Sequence, residues 1–129
     1  MKRYPLEIYQ APLDSILSGK KKVEIRTNNS YEAIRYDQLC PGDRIDFQVI
    51  AGPPFVGLDV IVPNALSVEV IDVRHYPDAN SLLVAEGMQV LSNLCESLQE
   101  GVELLQSFHE YTEMIPIHGI FAIEIRPVS

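Results

Sequence analysis

The sequence predicts an α+β fold: a small mixed β-barrel or curled sheet of about five to six strands, with a short N-terminal helix and a helical insertion before the last strand. Three observations predict it. Alternation of period two recurs along the chain, around Leu6–Ile8, Val23–Ile25, Ile45–Val49, Val68–Val70 and Phe121–Ile125. Helical spacing is confined to one stretch near the start and to the segment before the last strand. Successive strand–helix–strand parallel units are not evident, which argues against a doubly wound fold.

Each element has a local reason. Tyr4 to Tyr9 alternates around Leu6 and Ile8 and reads as the first strand. Ala11-Pro12-Leu13-Asp14 opens a short helix, with Pro12 in a first turn where its missing N–H is tolerated. Leu13, Ile16 and Leu17 form its expected buried stripe, and Gly19 stops it. Lys22 to Thr27 reads as a strand with Val23 and Ile25 on one face and Lys22, Glu24 and Arg26 on the other. Asn28-Asn29-Ser30 is a turn, and Tyr31 to Leu39 has room for a helical turn. Cys40-Pro41-Gly42-Asp43 turns tightly into a strand from Arg44 to Ile50, with Ile45, Phe47 and Val49 inward.

Phe55 to Val62 reads as an extended or edge segment bounded by Pro63-Asn64. Leu66 to Tyr76 is a long strand through Val68, Val70 and Val73. Asn80 or Ser81 is positioned to cap a helix carrying Leu82, Leu83 and Val84. A second helix runs from about Val90 to His109, with Leu91, Leu94, Leu98, Val102 and Leu105 at spacings of three and four. Met114-Ile115-Pro116 ends the helical part, and Gly119 to Arg126 is the final strand.

A chain of 129 residues fits one domain spanning residues 1–129, with apolar material for one sizeable core. The start, Met-Lys-Arg-Tyr-Pro, lacks the apolar run of a signal peptide, and no stretch is apolar enough for a membrane span. The two cysteines, Cys40 and Cys95, form no C-x-x-C pair and read as free thiols in a reducing, cytoplasmic setting. Oligomeric state is not legible. The net charge of −8 argues against sequence-independent duplex binding. Its distribution is uneven. Residues 1–44 carry eight basic and six acidic residues, net +2, and residues 45–129 carry two and twelve, net −10. A local basic patch on an acidic body suits a small or single-stranded anionic ligand.

No G-x-G-x-x-G, P-loop or G-x-S-x-G motif is present. The histidines His75, His109 and His118 come from separate elements, so no metal site and no cofactor is expected. The dense constellation is Gly19-Lys20-Lys21-Lys22-Val23-Glu24-Ile25-Arg26, where a helix stop delivers three lysines to a strand. Two readings stay open for it. Backbone amides near the glycine and clustered ammonium groups can bind phosphate, and a crowded lysine can serve as base or nucleophile. Equally, Lys22, Glu24 and Arg26 can simply pair on an exposed strand.

Gly19, Lys21, Glu24 and Arg26 match a G-x-K-x-x-E-x-R signature, and the chain thereby resembles the ASCH domains, a branch of the PUA-like β-barrel superfamily. The segments 13–19, Gly42-Asp43-Arg44-Ile45-Asp46-Phe47 and 118–125 are similar to that family's opening helix, G-D-x-I-x-F strand and closing strand. The resemblance runs from about Leu6 to Pro127 and implies a PUA-like barrel with a cleft that binds RNA or a nucleotide. It implies that Gly19, Lys20, Lys21, Glu24 and Arg26 line the cleft, Lys21 and Arg26 meeting phosphate or a base edge and Glu24 accepting from a base amino group. Tyr31 and Tyr36 are then stacking candidates. Part of the family resembles amidohydrolases acting on N4-acetylcytidine, with a lysine at Lys21, a threonine where this chain has Glu24, and a glutamate after the long strand, for which Glu86 is the candidate. On that alternative Lys21 with Glu24 or Glu86 is catalytic. Some relatives are also thought to cleave RNA, a third use of the same cluster.

Overall fold

A computed structural model describes residues 2–28, 34–50, 60–87 and 115–128. Its elements are β1 (Arg3–Ile8), α1 (Gln10–Leu17), β2 (Val23–Arg26), a 3-10 turn (Tyr36–Gln38), β3 (Arg44–Ile50), β4 (Val60–Tyr76), α2 (Ala79–Glu86) and β5 (Ile120–Pro127). Residues 115–118, just before β5, are also helical. The strands form one mixed sheet in the order β1-β3-β4-β5-β2, with β1 parallel to β3 and every other pair antiparallel. The ladder does not close, so β1 and β2 are its edges. The α+β architecture is the one the alternation predicts, as a curled sheet with a seam.

The curl comes from β4, which pairs first with β3 and then with β5. The expected boundary at Pro63-Asn64 is absent, and the strand runs through it. Asn64 takes a left-handed φ of 48° at a register shift, and Gln48 spans the gap. Its carboxamide accepts from Asn64 N–H at 2.9 Å and donates to Asn64 Oδ1 at 2.9 Å. A second irregularity lies between Val70 and Asp72. A bulge inserts one residue and so restores the inward parity. It explains why Val68, Val70 and Val73 share a face although the last step is three residues.

The sheet separates two apolar clusters. Leu6, Ile45, Phe47, Val68, Phe121 and Ile123 belong to the larger, with Leu13 and Ile16 of α1. The smaller joins Ile25 and Ala122 to Leu82 and Leu83 of α2. Leu17, expected in the helix stripe, is instead 57% exposed, because the eight-residue helix buries only Leu13 and Ile16. Tyr9, in extended conformation, is the N-cap of α1. The α2 cap is two or three residues earlier than expected. Asp78, in extended conformation, accepts from Ser81 N–H at 2.7 Å, so Asn80 and Ser81 lie inside or against the first turn. The second predicted helix, Cys95, His109, Tyr31 and most of Phe55 to Val62 fall outside the described residues. Among the described residues no helix is long and apolar enough to cross a membrane.

The cap is separately testable. Asp78→Ala is expected to lower unfolding free energy by about 1 kcal/mol, and Asp78→Asn by less, in urea denaturation. Equal losses in the two variants would show that charge, not the capping acceptor, is what matters.

Candidate nucleic-acid interface

The junction of α1 and β2 is shaped by Gly19, whose φ of +82° reverses the chain. Gly19 N–H donates to Ile16 O at 3.1 Å, and Lys20 and Lys21 N–H both donate to Ser15 O at 3.0 Å. This is a Schellman closure, in which the amides after the helix satisfy its last carbonyls. The expectation that these amides bind phosphate is therefore corrected, since all three are already committed within the chain. The tight reversal has a second effect. Lys20 and Lys22 remain exposed while Lys21 is turned inward and buried.

On β2, Glu24 pairs with Ile123 and Arg26 with Phe121, so both side chains share the face of the larger cluster. Val23 and Ile25 pack on the opposite side with α2. The face assignment read from alternation is right, but the polar face runs from the exposed Lys22 to the buried Glu24 and the half-buried Arg26. Glu24 is 6% exposed. Its Oε1 accepts from Ile25 N–H at 3.2 Å and stands 3.7 Å from Lys21 Nζ. Its Oε2 stands 3.7 Å from an Arg26 nitrogen. Strong charge-assisted hydrogen bonds are nearer 2.8 Å, so both ion pairs are loose. Oε2 is buried without a hydrogen-bond partner among the described residues. Arg26 Nη2 donates at 2.9 Å to the carbonyl of Glu7 in β1. It thus links one edge strand to the other.

Burial alone pushes the Glu24 carboxyl up, but the nearby Lys21 and Arg26 charges and the Ile25 N–H outweigh it. The net result holds Glu24 below the usual carboxylate range and ionised.

Glu86 is not part of this group. Its carboxylate accepts a bidentate pair from Arg74, at 2.7 and 2.8 Å, and a hydrogen bond from the Tyr76 hydroxyl. Arg74 also donates at 3.0 Å to Asp72 and to Glu124. Glu124 pairs with Val23, on the α2 face of the sheet. The sheet therefore lies between Glu86 and Glu24. The Arg74 hydrogen bonds hold the Glu86 carboxyl below its ordinary range despite partial burial. Arg74 escaped the sequence reading, although one of only two basic residues among twelve acids in 45–129 is itself a sign of a carboxylate cluster.

Tyr36 is fully buried, its ring 6.2 Å from that of Phe121. Its N–H donates to Asn28 Oδ1 at 2.7 Å, which turns the side chain into the core and leaves no exposed face for stacking. Asn28 also donates to Asp37 at 2.8 Å. Beside these residues lies an open cleft with a volume of ≈ 470 Å³, lined by Arg35, Val73, His75, Ile117 and His118 among others. The Asp43 of the Gly42-Asp43 motif is structural. It accepts from Lys2 and Cys40 N–H, both at 3.0 Å, and so fixes the turn into β3.

The geometry defines a class first: a PUA-like, mixed α+β curled sheet with a charged network under its first helix. The ASCH domain model matches residues 6–129, and the chain belongs to the ASCH domain family, PUA-like and proposed to bind RNA. Among solved structures it is similar to the crystal structure of the hypothetical protein PH0355, with 26% identity and a TM-score of 0.76 over 98% of this chain and 99% of that one. It is also similar to the solution NMR structure of protein PF0455 from Pyrococcus furiosus, with 25% identity and a TM-score of 0.70 over 98% of each chain. No curated protein matches.

The depressed Glu24 carboxyl has a consequence for stability. A folded pKa below the unfolded value of about 4.3 stabilises the protein above that pH and ceases to as pH falls through the folded value. Glu24→Gln is expected to lower the urea midpoint at pH 7 by removing the negative charge between two cations, with the gap to wild type narrowing below about pH 4. A gap independent of pH would show that the ionised carboxylate is not what stabilises the network.

Proposed function

We propose that this ASCH protein, as one unit over residues 1–129, binds single-stranded or structured RNA, or a nucleotide, at the junction 19–26. The observation that carries the reading is the buried, ionised Glu24 with an unfilled acceptor at Oε2, flanked by the exposed Lys20 and Lys22. A buried acceptor without a partner costs about 1–3 kcal/mol, and a base amino group is a donor that would fill it. Lys20 and Lys22 supply charge to the phosphates, while Lys21 and Arg26 hold the carboxylate ionised and in place. The family's proposed RNA binding and the basic patch on an acidic body support the same partner. The setting is cytoplasmic and reducing, which suits the exposed free thiol of Cys40.

A salt titration against a short single-stranded RNA tests this. Replacing Lys20 and Lys22 together by alanine is expected to weaken binding and to flatten the log–log salt slope by about 0.7 for each lost phosphate contact. No RNA or nucleotide binding by the wild type at low salt would refute the reading.

A second reading rests on the Lys21–Glu24 pair. A lysine and a carboxylate 3.7 Å apart in a buried site could activate water against the amide of a modified nucleoside such as N4-acetylcytidine. The related ribonuclease reading would draw on the same pair. The outward binding of Glu86 to Arg74 removes it from this chemistry, so Glu24 takes the carboxylate role. Turnover of N4-acetylcytidine is expected to disappear in Lys21→Met and Glu24→Gln and to persist in Glu86→Gln. Persistence in Lys21→Met would exclude the pair from catalysis.

A further inference from the structure

We propose that the cleft between the 3-10 turn and the start of β5 is a second ligand site, built for a nucleoside carrying a terminal phosphate monoester. It draws on different side chains from the junction 19–26 but adjoins it, since Phe121 in the cleft pairs with Arg26 across the strands and Asn28 lies two residues beyond Arg26.

The size is right for one nucleotide. A cavity of ≈ 470 Å³ falls within the range of small-molecule sites, roughly 300–1,000 Å³. Leu39, Val73 and Phe121 supply its apolar floor. His75 supplies an exposed aromatic ring backed by Phe121, with ring centres 4.7 Å apart and an interplanar angle of 38°. The ring is held in place. His75 Nε2 lies 2.9 Å from the carbonyl of His118, and since a carbonyl only accepts, Nε2 carries the proton. Gly119 makes the approach possible. A Cβ there would lie 2.3 Å from His75 Nε2 and 2.5 Å from the Tyr76 carbonyl, and its φ of +74° disfavours any side chain. A fixed, backed and exposed ring is a preorganised stacking surface.

The polar rim selects an anion. Asn28 and Asp37 satisfy each other at 2.8 Å, and Asn28 Oδ1 is taken by Tyr36 N–H. Arg35 differs. Its Nε stands 3.8 Å from Asp37, beyond hydrogen-bond reach, and its side chain is 48% exposed. Arg35 and the half-buried His118 imidazole therefore face the same opening as the His75 ring. Guanidinium groups bind phosphate in a bidentate manner, and a flat heterocycle on His75 puts its phosphate toward that rim.

The test is an NMR titration of the full chain with AMP, CMP, the matching nucleosides, and an RNA trinucleotide with and without a 5′-phosphate. The phosphorylated ligands, free or as the strand end, are expected to shift His75, His118 and Arg35 resonances. The unphosphorylated ones should bind about tenfold more weakly. Arg35→Gln should abolish that phosphate preference, and His75→Ala should lose binding while His75→Phe retains part of it. If no phosphorylated ligand binds, the proposal fails. It also fails if binding survives in both Arg35→Gln and His75→Ala yet is lost when Lys20 and Lys22 are replaced, an outcome that leaves the junction reading intact.

Discussion

Arg26 reaches between the two edge strands of the sheet, donating to the Glu7 carbonyl of β1 while facing the carboxylate of Glu24 on its own strand. Much of the molecule depends on this link. A sheet in the order β1-β3-β4-β5-β2 curls until its edges approach, but the short β2 has no ladder partner on that side. One guanidinium supplies the donor that a neighbouring strand would otherwise provide. It can do so from a half-buried position because the Glu24 carboxylate offsets its charge there. Burying such a group is costly unless the charges are paired. The cluster therefore has a structural role in closing the seam, with Glu24 Oε2 buried and without a hydrogen-bond partner among the described residues.

The two faces of the sheet divide the charged residues into separate systems. On the face of the larger core, the Schellman turn buries Lys21 beside Glu24. On the other face, Arg74 gathers Asp72, Glu86 and Glu124 and ties α2 to β4 and β5. Both systems mix basic and acidic groups, but their geometries differ. Arg74 engages Glu86 through a close bidentate pair, which leaves the carboxylate fully used. Lys21 and Arg26 stand off from Glu24 by 3.7 Å, which leaves its Oε2 without a hydrogen bond among the described residues. That contrast, not the number of charges, separates an anchoring cluster from a candidate site.

Alternation and glycine placement made a large part of the fold legible. Ile45, Phe47 and Val49 are buried as their spacing requires, and Val68 and Val70 follow suit. Gly19 ends α1 with the positive φ expected of it. Local capping and strand continuity were less legible because several residues compete for each role. Asp78 outcompetes Asn80 and Ser81 as a cap, and Gln48 carries β4 past a proline and a left-handed asparagine. Neither choice shows in local propensity. Tyr36, a stacking candidate on the family resemblance, is instead fully buried, its backbone N–H bonded to Asn28. The exposed ring is His75, whose position depends on Gly119, forty-four residues away in the chain.

The sequence by itself determined the strand alternation, the helix stop at Gly19 and the gathering of Gly19, Lys21, Glu24 and Arg26 into one short segment. These are local properties, set by side-chain period and backbone sterics within a few residues. Tertiary structure alone decided which of those charges are buried, because burial depends on what the opposite strand and helix place above them. It buried Lys21 and Glu24, half-buried Arg26, and left Lys20 and Lys22 in solvent. It also sent Glu86 to the far face of the sheet, since strand register assigns each residue to one side and no local pattern specifies how distant strands pair.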